Sequence, residues 1–278
     1  MSFDLDFNLN NLNNLDNLNP KAVELKQNLA WAYRIIAHLG LDDHTYTHLS
    51  SRSPNTQDNP SNASYYIYPF GLCFEEVKPQ DLLEVSLDGQ VLFGQEQAYN
   101  ATGFVIHGAI YQARADIQHI FHLHTPATVA VSAMAAGLEP LSQWALHFYG
   151  KLAYYDYDAL ALDPQKHGAD MVRALGEHQV LFLRHHGIIT CGKTPWEALF
   201  YAYHLEKACI TQCLIAQSGR TVLEPSQKAC EQAVHDLLNF ELDLGRRDWE
   251  AWIRILKKRE KIATIETIDS KKRVENVW

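Results

Sequence analysis

No apolar stretch in this chain approaches the roughly 20 consecutive residues that a membrane-spanning helix needs. The first residues also lack the basic start and apolar core of a secretory signal, so a cytoplasmic protein without a membrane partner is expected. Basic residues are scarce: 24 Lys and Arg stand against 33 Asp and Glu, a net charge of −9 with no basic stripe. Non-specific nucleic-acid binding rests on neutralising phosphates with Lys and Arg, so a nucleic-acid partner is not expected. The five cysteines (Cys73, Cys191, Cys209, Cys213 and Cys230) form no C-x-x-C. Widely spaced and odd in number, they read as reduced thiols rather than a disulfide framework. Cys209 and Cys213, four apart on an expected helix, are simplest as small buried hydrophobes. There is neither an internal repeat nor a linker that would divide the domain, and 278 residues with 47% apolar content are enough to bury a sizeable core.

What is plentiful is histidine, 14 of 278 residues, five of them in two short windows: His119, His122, His124 and His185, His186. The chain around those windows divides as follows. Residues 1–19, with Leu9, Leu12, Leu15 and Leu18 spaced by three among seven Asn, match neither the helical nor the strand period and are expected to be a disordered or loosely docked tail. Pro20 opens an amphipathic helix that stops at Gly40. From 44 to 97 the texture is of short strands: His48 to Arg52, Tyr65 to Tyr68, and a hairpin in which Asp88-Gly89 is expected to form a type I′ turn. A polar loop separates Arg52 from Tyr65.

A helix over about 101–113, the strand Ile117 to His124 and a small-residue helix capped by Thr125 and closed by Gly137 follow. Next come a strand from Leu152 to Tyr157, a helix from Asp163-Pro164 to Leu175, a strand from Gln179 to Arg184, and the apolar run Ile188 to Cys191. Thr194-Pro195-Trp196-Glu197 is a capping box opening a long helix to about Gln217, and helices near 226–242 and 247–261 precede a charged tail. The domain is read as 20–220, with 221–278 packing on it or on a neighbouring subunit. Helices alternating with a mainly antiparallel sheet make a layered α/β architecture.

The chemistry concentrates in Ile120-Phe121-His122-Leu123-His124. The strand period of two puts His122 and His124 on one face and Phe121 and Leu123 on the other. Two imidazoles so placed can converge on a divalent ion, or can be two polar residues on a half-wet face. His186, at the end of a second apolar strand and followed by Gly187, which lets the chain turn away, is the expected third donor. Three histidines would leave coordination positions open, as in a catalytic rather than a structural site. His119, of the other parity, is expected to be a core residue, and His185 a supporting or packing one.

Over about residues 25–220 the sequence resembles the class II aldolase/adducin family. The resemblance is carried by the His48-to-Arg52 strand, Tyr68-Pro69-Phe70-Gly71, the run IHGAIYQARADIQHIFHLHTPATVAVSAMAAGL and RHHGIITCGKTPWEA. It is nearer to adducin heads and their bacterial relatives than to the sugar-phosphate aldolases. The resemblance implies a three-layer α/β/α class II aldolase-like fold, zinc or another divalent ion, a small-molecule substrate, and a homo-oligomer, tetramer or dimer, with its site near a subunit boundary. The family's three zinc histidines map onto His122, His124 and His186. Its acid/base Glu falls at Gly103, which cannot move a proton.

Of the family's phosphate-binding positions, Ser50, Gly71 and Thr102 keep suitable chemistry, whereas Phe70 and Ala101 remove donors. A buried phosphate dianion must be met by hydrogen bonds, so an unphosphorylated substrate is expected. Two readings result. One is a metal-dependent lyase acting on a small hydroxy-carbonyl compound, with His107 and Tyr111 as candidate carriers of the proton. The other is a non-catalytic, adducin-head-like binding or scaffolding module.

Overall fold

Asn19 caps the first helix, its side-chain oxygen accepting from the N–H of Lys21 at 2.9 Å, and Pro20 takes the first helical position. This is helix α1 (Pro20–His38), which ends before Gly40 at a φ of +66°, a left-handed conformation that glycine adopts without cost. The structure is a computed structural model and describes residues 19–54, 63–94, 98–156 and 161–275. The expected N-terminal tail, the middle of the polar loop after Arg52, and Tyr157 lie outside the described residues.

Strands β1 (His48–Arg52), β2 (Ser64–Ile67), β3 (Leu83–Ser86), β4 (Val91–Phe93), β5 (His119–Leu123), β6 (Leu152–Tyr155), β7 (Val180–Leu183) and β8 (Gly187–Gly192) form one sheet in the order β4-β3-β2-β1-β5-β8-β7-β6. Every pairing is antiparallel except β6 with β7, the pair joined by a helical crossover. Strands β1, β5, β7 and β8 are buried at every residue, as a sheet covered on both faces requires.

The coverings are helices. Helix α2 (101–113) and α5 (164–175) pack against each other on one face, with α5 reaching β6 and β7. On the other lie α1, α3 (Pro126–Ser132) and the long α6 (Pro195–Ser218), which crosses β5 and β8, with α4 (Gln143–Leu146) and α7 (Gln227–Asn239) behind it. This is the three-layer α/β/α arrangement expected from the resemblance. Fully buried Leu29, Ile35 and Ile36 each contribute about 1.5–3 kcal/mol of transfer free energy. Tyr33 locks α1 to the sheet: its hydroxyl donates to the carbonyl of Leu49 and accepts from the N–H groups of Leu49 at 3.0 Å and Tyr68 at 3.3 Å.

Several local expectations are corrected. Gly89 alone has a positive φ in the hairpin turn, and its N–H bonds the carbonyl of Ser86 at 3.0 Å, so the turn is not type I′. Thr125 stands at the N-cap of α3 but its hydroxyl bonds Thr128 at 2.7 Å and the Glu206 carboxylate instead of capping. The capping box of α6 is half formed: Thr194 accepts from the N–H of Glu197, whose carboxylate accepts from Lys193 rather than Thr194. The last helix, α8 (Arg246–Glu275), runs well past residue 261.

Candidate metal centre

Strand β5 sits between β1 and β8 at the centre of the sheet, and its register decides which groups meet. His48 lies opposite His122, and Ser50 opposite Ile120, so their side chains share the face covered by α2. His119 lies opposite Ser51 on the other face, where its Nδ1 and the Ser51 hydroxyl are 2.8 Å apart. It is a satisfied core histidine, as its parity implied.

His186 comes from the turn between β7 and β8. The sharp reversal there is made by His185, at a φ of +59°, rather than by Gly187 as the sequence suggested. Gly187 is needed for close approach: a Cβ on it would stand 2.3 Å from the carbonyl oxygen of Leu123 and 2.9 Å from the His124 ring. Absence of that atom lets β8 carry His186 against the end of β5.

His122, His124 and His186 offer ring nitrogens that all lie within 4.8 Å of one another, and they form the one three-residue cluster of metal-ligating type among the described residues. The Nδ1 of His122 is 2.9 Å from the Ile188 carbonyl and the Nδ1 of His124 is 3.1 Å from the Asp43 carboxylate. Both partners can only accept, so both Nδ1 atoms carry the proton and, in neutral rings, both Nε2 atoms present lone pairs. Those two Nε2 atoms face each other at 2.9 Å. Two lone pairs at that separation repel unless a cation lies against both.

A protonated ring is a poor candidate for that cation. Burial first, then neighbouring His124, His48 and His186, holds the His122 pKa well below 6.5, and burial followed by His124 lowers His186 to about 4. Burial also lowers His124, opposed by Asp43. A divalent ion fits the donor set: three neutral imidazoles, two of them oriented by a carbonyl and a carboxylate through their far nitrogens.

Behind this cluster runs a buried series of polar side chains that includes a residue to which the sequence reading assigned no role. His48, 1% exposed, has its ring centroid 5.0 Å from that of His122. Its Nδ1 is 2.8 Å from Nε2 of His107; Nδ1 of His107 bonds the Ser50 hydroxyl; and Ser50 is 2.8 Å from the Tyr111 hydroxyl. His107 lies on a π-helical turn, Phe104–Gly108, that interrupts α2. Desolvation lowers His107 to about 3, holds His48 well below 6.5 with the help of neighbouring histidines, and raises Tyr111, so the series is neutral. The alternation of His48 and Ser50 along β1 was the signal for this face, but without the β1–β5 register it had no partner.

Of the expected substrate-binding positions, Ser50 belongs to this series, whereas Thr102 and Gly71 make other contacts. Ser50 is fully buried and commits its hydroxyl to His107 and Tyr111. Thr102 bonds Asn100 at 2.7 Å at the start of α2. Gly71 occupies an exposed turn at a φ of +106°, beside Phe70, whose exposed ring meets Tyr46 edge-on at 6.4 Å. Gly103 is buried against His48: a Cβ there would be 3.3 Å from two atoms of the His48 ring and from Cδ1 of Ile67.

Known proteins share this sequence pattern and fold. Residues 27–213 match the model of the class II aldolase and adducin N-terminal domain. A solved aldolase II superfamily protein from Pseudomonas syringae is 34% identical and superposes with a TM-score of 0.80, covering 88% of this chain and 96% of that one. An L-fuculose 1-phosphate aldolase from Glaciozyma antarctica is 26% identical, with a TM-score of 0.75 over 87% of this chain and 91% of its own. Alpha-adducin from Rattus norvegicus is 36% identical over 190 residues, which is 68% of this chain and 25% of that protein.

Proposed function

Because this chain belongs to the class II aldolase and adducin family, we propose that it is a metal-dependent lyase acting on a small, unphosphorylated hydroxy-carbonyl compound, with His122, His124 and His186 holding zinc. The observation that carries this reading is the opposition of the two Nε2 lone pairs at 2.9 Å, with the third histidine beside them. A bound divalent ion supplies Lewis-acid polarisation of a carbonyl and electrostatic stabilisation of a developing enolate.

The protein's share is positioning. The Ile188 carbonyl and Asp43 fix the tautomers of His122 and His124. His48 stands beside Gly103, where the family's carboxylate is missing, and is held by His107, which in turn bonds Ser50 and through it Tyr111. His107 is linked to the histidine cluster through His48, and Tyr111 through Ser50 and His107, so both act as positioning residues. Commitment of Ser50 and Thr102 to internal partners, with Phe70 exposed nearby in sequence to Gly71, supports a substrate without phosphate.

Gly103 and the adducin relatives favour a second reading, a non-catalytic binding or scaffolding module on the same fold. A screen of unphosphorylated hydroxy-acids and hydroxy-ketones on the zinc-loaded protein separates the two. Zinc-dependent turnover that is lost in His122→Ala supports the lyase, and zinc binding without turnover on any compound supports the scaffold.

A further inference from the structure

Apart from the three histidines and the His48 series, a cavity of about 420 Å³ lies between the body of the domain and its C-terminal helices, within the roughly 300–1,000 Å³ that ligand sites occupy. Helix α4 and the residue after it supply Trp144 and His147, α6 supplies Phe200 and His204, and the α7–α8 connection supplies Phe240. His147 is 7% exposed, and its ring meets Phe200 edge-on at 5.1 Å. The His204 ring centre lies 4.0 Å from that of Phe200 and 4.8 Å from that of His147.

Neither imidazole takes part in the chemistry proposed above. Nδ1 of His204 is 2.9 Å from the Phe200 carbonyl, and Nδ1 of His147 is 3.2 Å from the Trp144 carbonyl. A carbonyl only accepts, so each Nδ1 carries the proton and each Nε2 of the neutral rings presents a lone pair. Burial favours that neutral form, lowering His204 to about 4 and lowering His147 as well. Among the described residues no group donates to either Nε2. A ligand that displaces water from this cavity has to bring the donor itself.

The charged groups of the wall are two carboxylates, Glu241 and Asp248, against one guanidinium, Arg247. Arg247 is already matched, 2.8 Å from Glu241 and 3.6 Å from Asp248. Asp248 also acts electrostatically on His204, so one unit of negative charge remains beside the two acceptors. Trp144 and Phe240, both exposed, add aromatic faces, which attract cations. A shared metal ion is not what this wall is arranged for, since among the described residues only His122, His124 and His186 bring three ligating groups close enough for one.

We propose that this cavity binds a small organic ligand carrying a protonated primary amine on an aromatic body, its N–H groups donating to His147 and His204 and its charge lying beside Asp248. The site is separate from the metal centre and does not depend on the lyase reading.

The test measures dissociation constants by calorimetry on the full chain with four probes that share a phenyl body: phenethylamine, its N-trimethyl derivative, 2-phenylethanol and phenylacetate. Phenethylamine is expected to bind at least about tenfold more tightly than the alcohol or the acid, because it alone combines positive charge with N–H donors. The trimethylated probe keeps the charge but has no N–H, and is expected to bind more weakly than phenethylamine. Asp248→Asn, a change at a half-exposed side chain, is expected to weaken phenethylamine about tenfold and to leave 2-phenylethanol unchanged. His204→Phe keeps a ring against Phe200 and removes an acceptor, so it should erase the advantage over the trimethylated probe. His122→Ala should leave all four constants unchanged. Phenylacetate binding as tightly as phenethylamine, equal affinity for the amine and its trimethyl derivative, or no binding of phenethylamine overturns the proposal. The Asp248→Asn arm decides it even where His204→Phe does not fold.

Discussion

The Nδ1 of His124 lies 3.1 Å from Oδ2 of Asp43, a residue 81 positions earlier in the chain, so a carboxylate in the middle of the loop between α1 and β1 fixes the tautomer of a histidine at the end of β5. Asp43→Ala is therefore expected to lower zinc affinity about 10–100-fold, the usual cost of removing the partner behind a metal-bound histidine. The unfolding temperature of the metal-free protein should hardly change, because the Asp43 side chain is half exposed. Competition with a chromophoric chelator reads the first quantity, and calorimetry the second. Unchanged affinity would show that Asp43 does not orient a ligand.

Replacing both His122 and His124 by Ala is expected to abolish stoichiometric zinc in elemental analysis while far-ultraviolet circular dichroism stays that of the folded protein. The strand itself is held by its ladders to β1 and β8, which do not involve these rings. Retention of about one ion per chain would place the site elsewhere.

Burial lowers His107 and His119 to about 3 and His186 to about 4, from 6.5. In the unfolded chain these rings take up protons as the pH falls through 6.5, whereas in the folded chain they stay neutral until near 4 and 3. Between those limits the unfolded state binds more protons, so stability is complete above about pH 6.5 and declines as the pH falls below it. Urea midpoints of the metal-free protein at pH 7.5, 5.5 and 4.5 should decrease in that order. A flat series would mean that the rings are charged, or exposed, in the fold.

Gly187→Ala places a Cβ 2.3 Å from the Leu123 carbonyl oxygen, a backbone atom that cannot swing aside. The β5–β8 ladder must open, at a cost of about 1–3 kcal/mol or more. Since the same shift moves His186 away from His122 and His124, zinc affinity should fall along with the denaturation midpoint. Loss of stability with zinc affinity intact would uncouple the ladder from the site.

Much of the fold is legible in local patterns. Asn19-Pro20 and Gly40 bound α1, Thr194-Pro195 opens α6, and strand alternation separates His122 from His119, because caps and side-chain parity depend on neighbours within a few residues. Asp88-Gly89 alone does not fix the hairpin turn, because Asp-Gly suits more than one turn type. The partners of Ser50 are not legible locally, because its hydroxyl meets His107 and Tyr111, more than 50 residues away.

By itself the sequence determined that three histidines of β5 and the β7–β8 turn could serve one ion, that the carboxylate at 103 is absent, and which layers the chain would form. Only the tertiary structure decided what stands in the vacated space. That depended on the antiparallel register that sets His48 against His122, and on α2 lying over that face so that His107 meets His48. Side-chain parity is written into a strand residue by residue, whereas register and layer contact arise from pairing of distant segments and cannot be read from either segment alone.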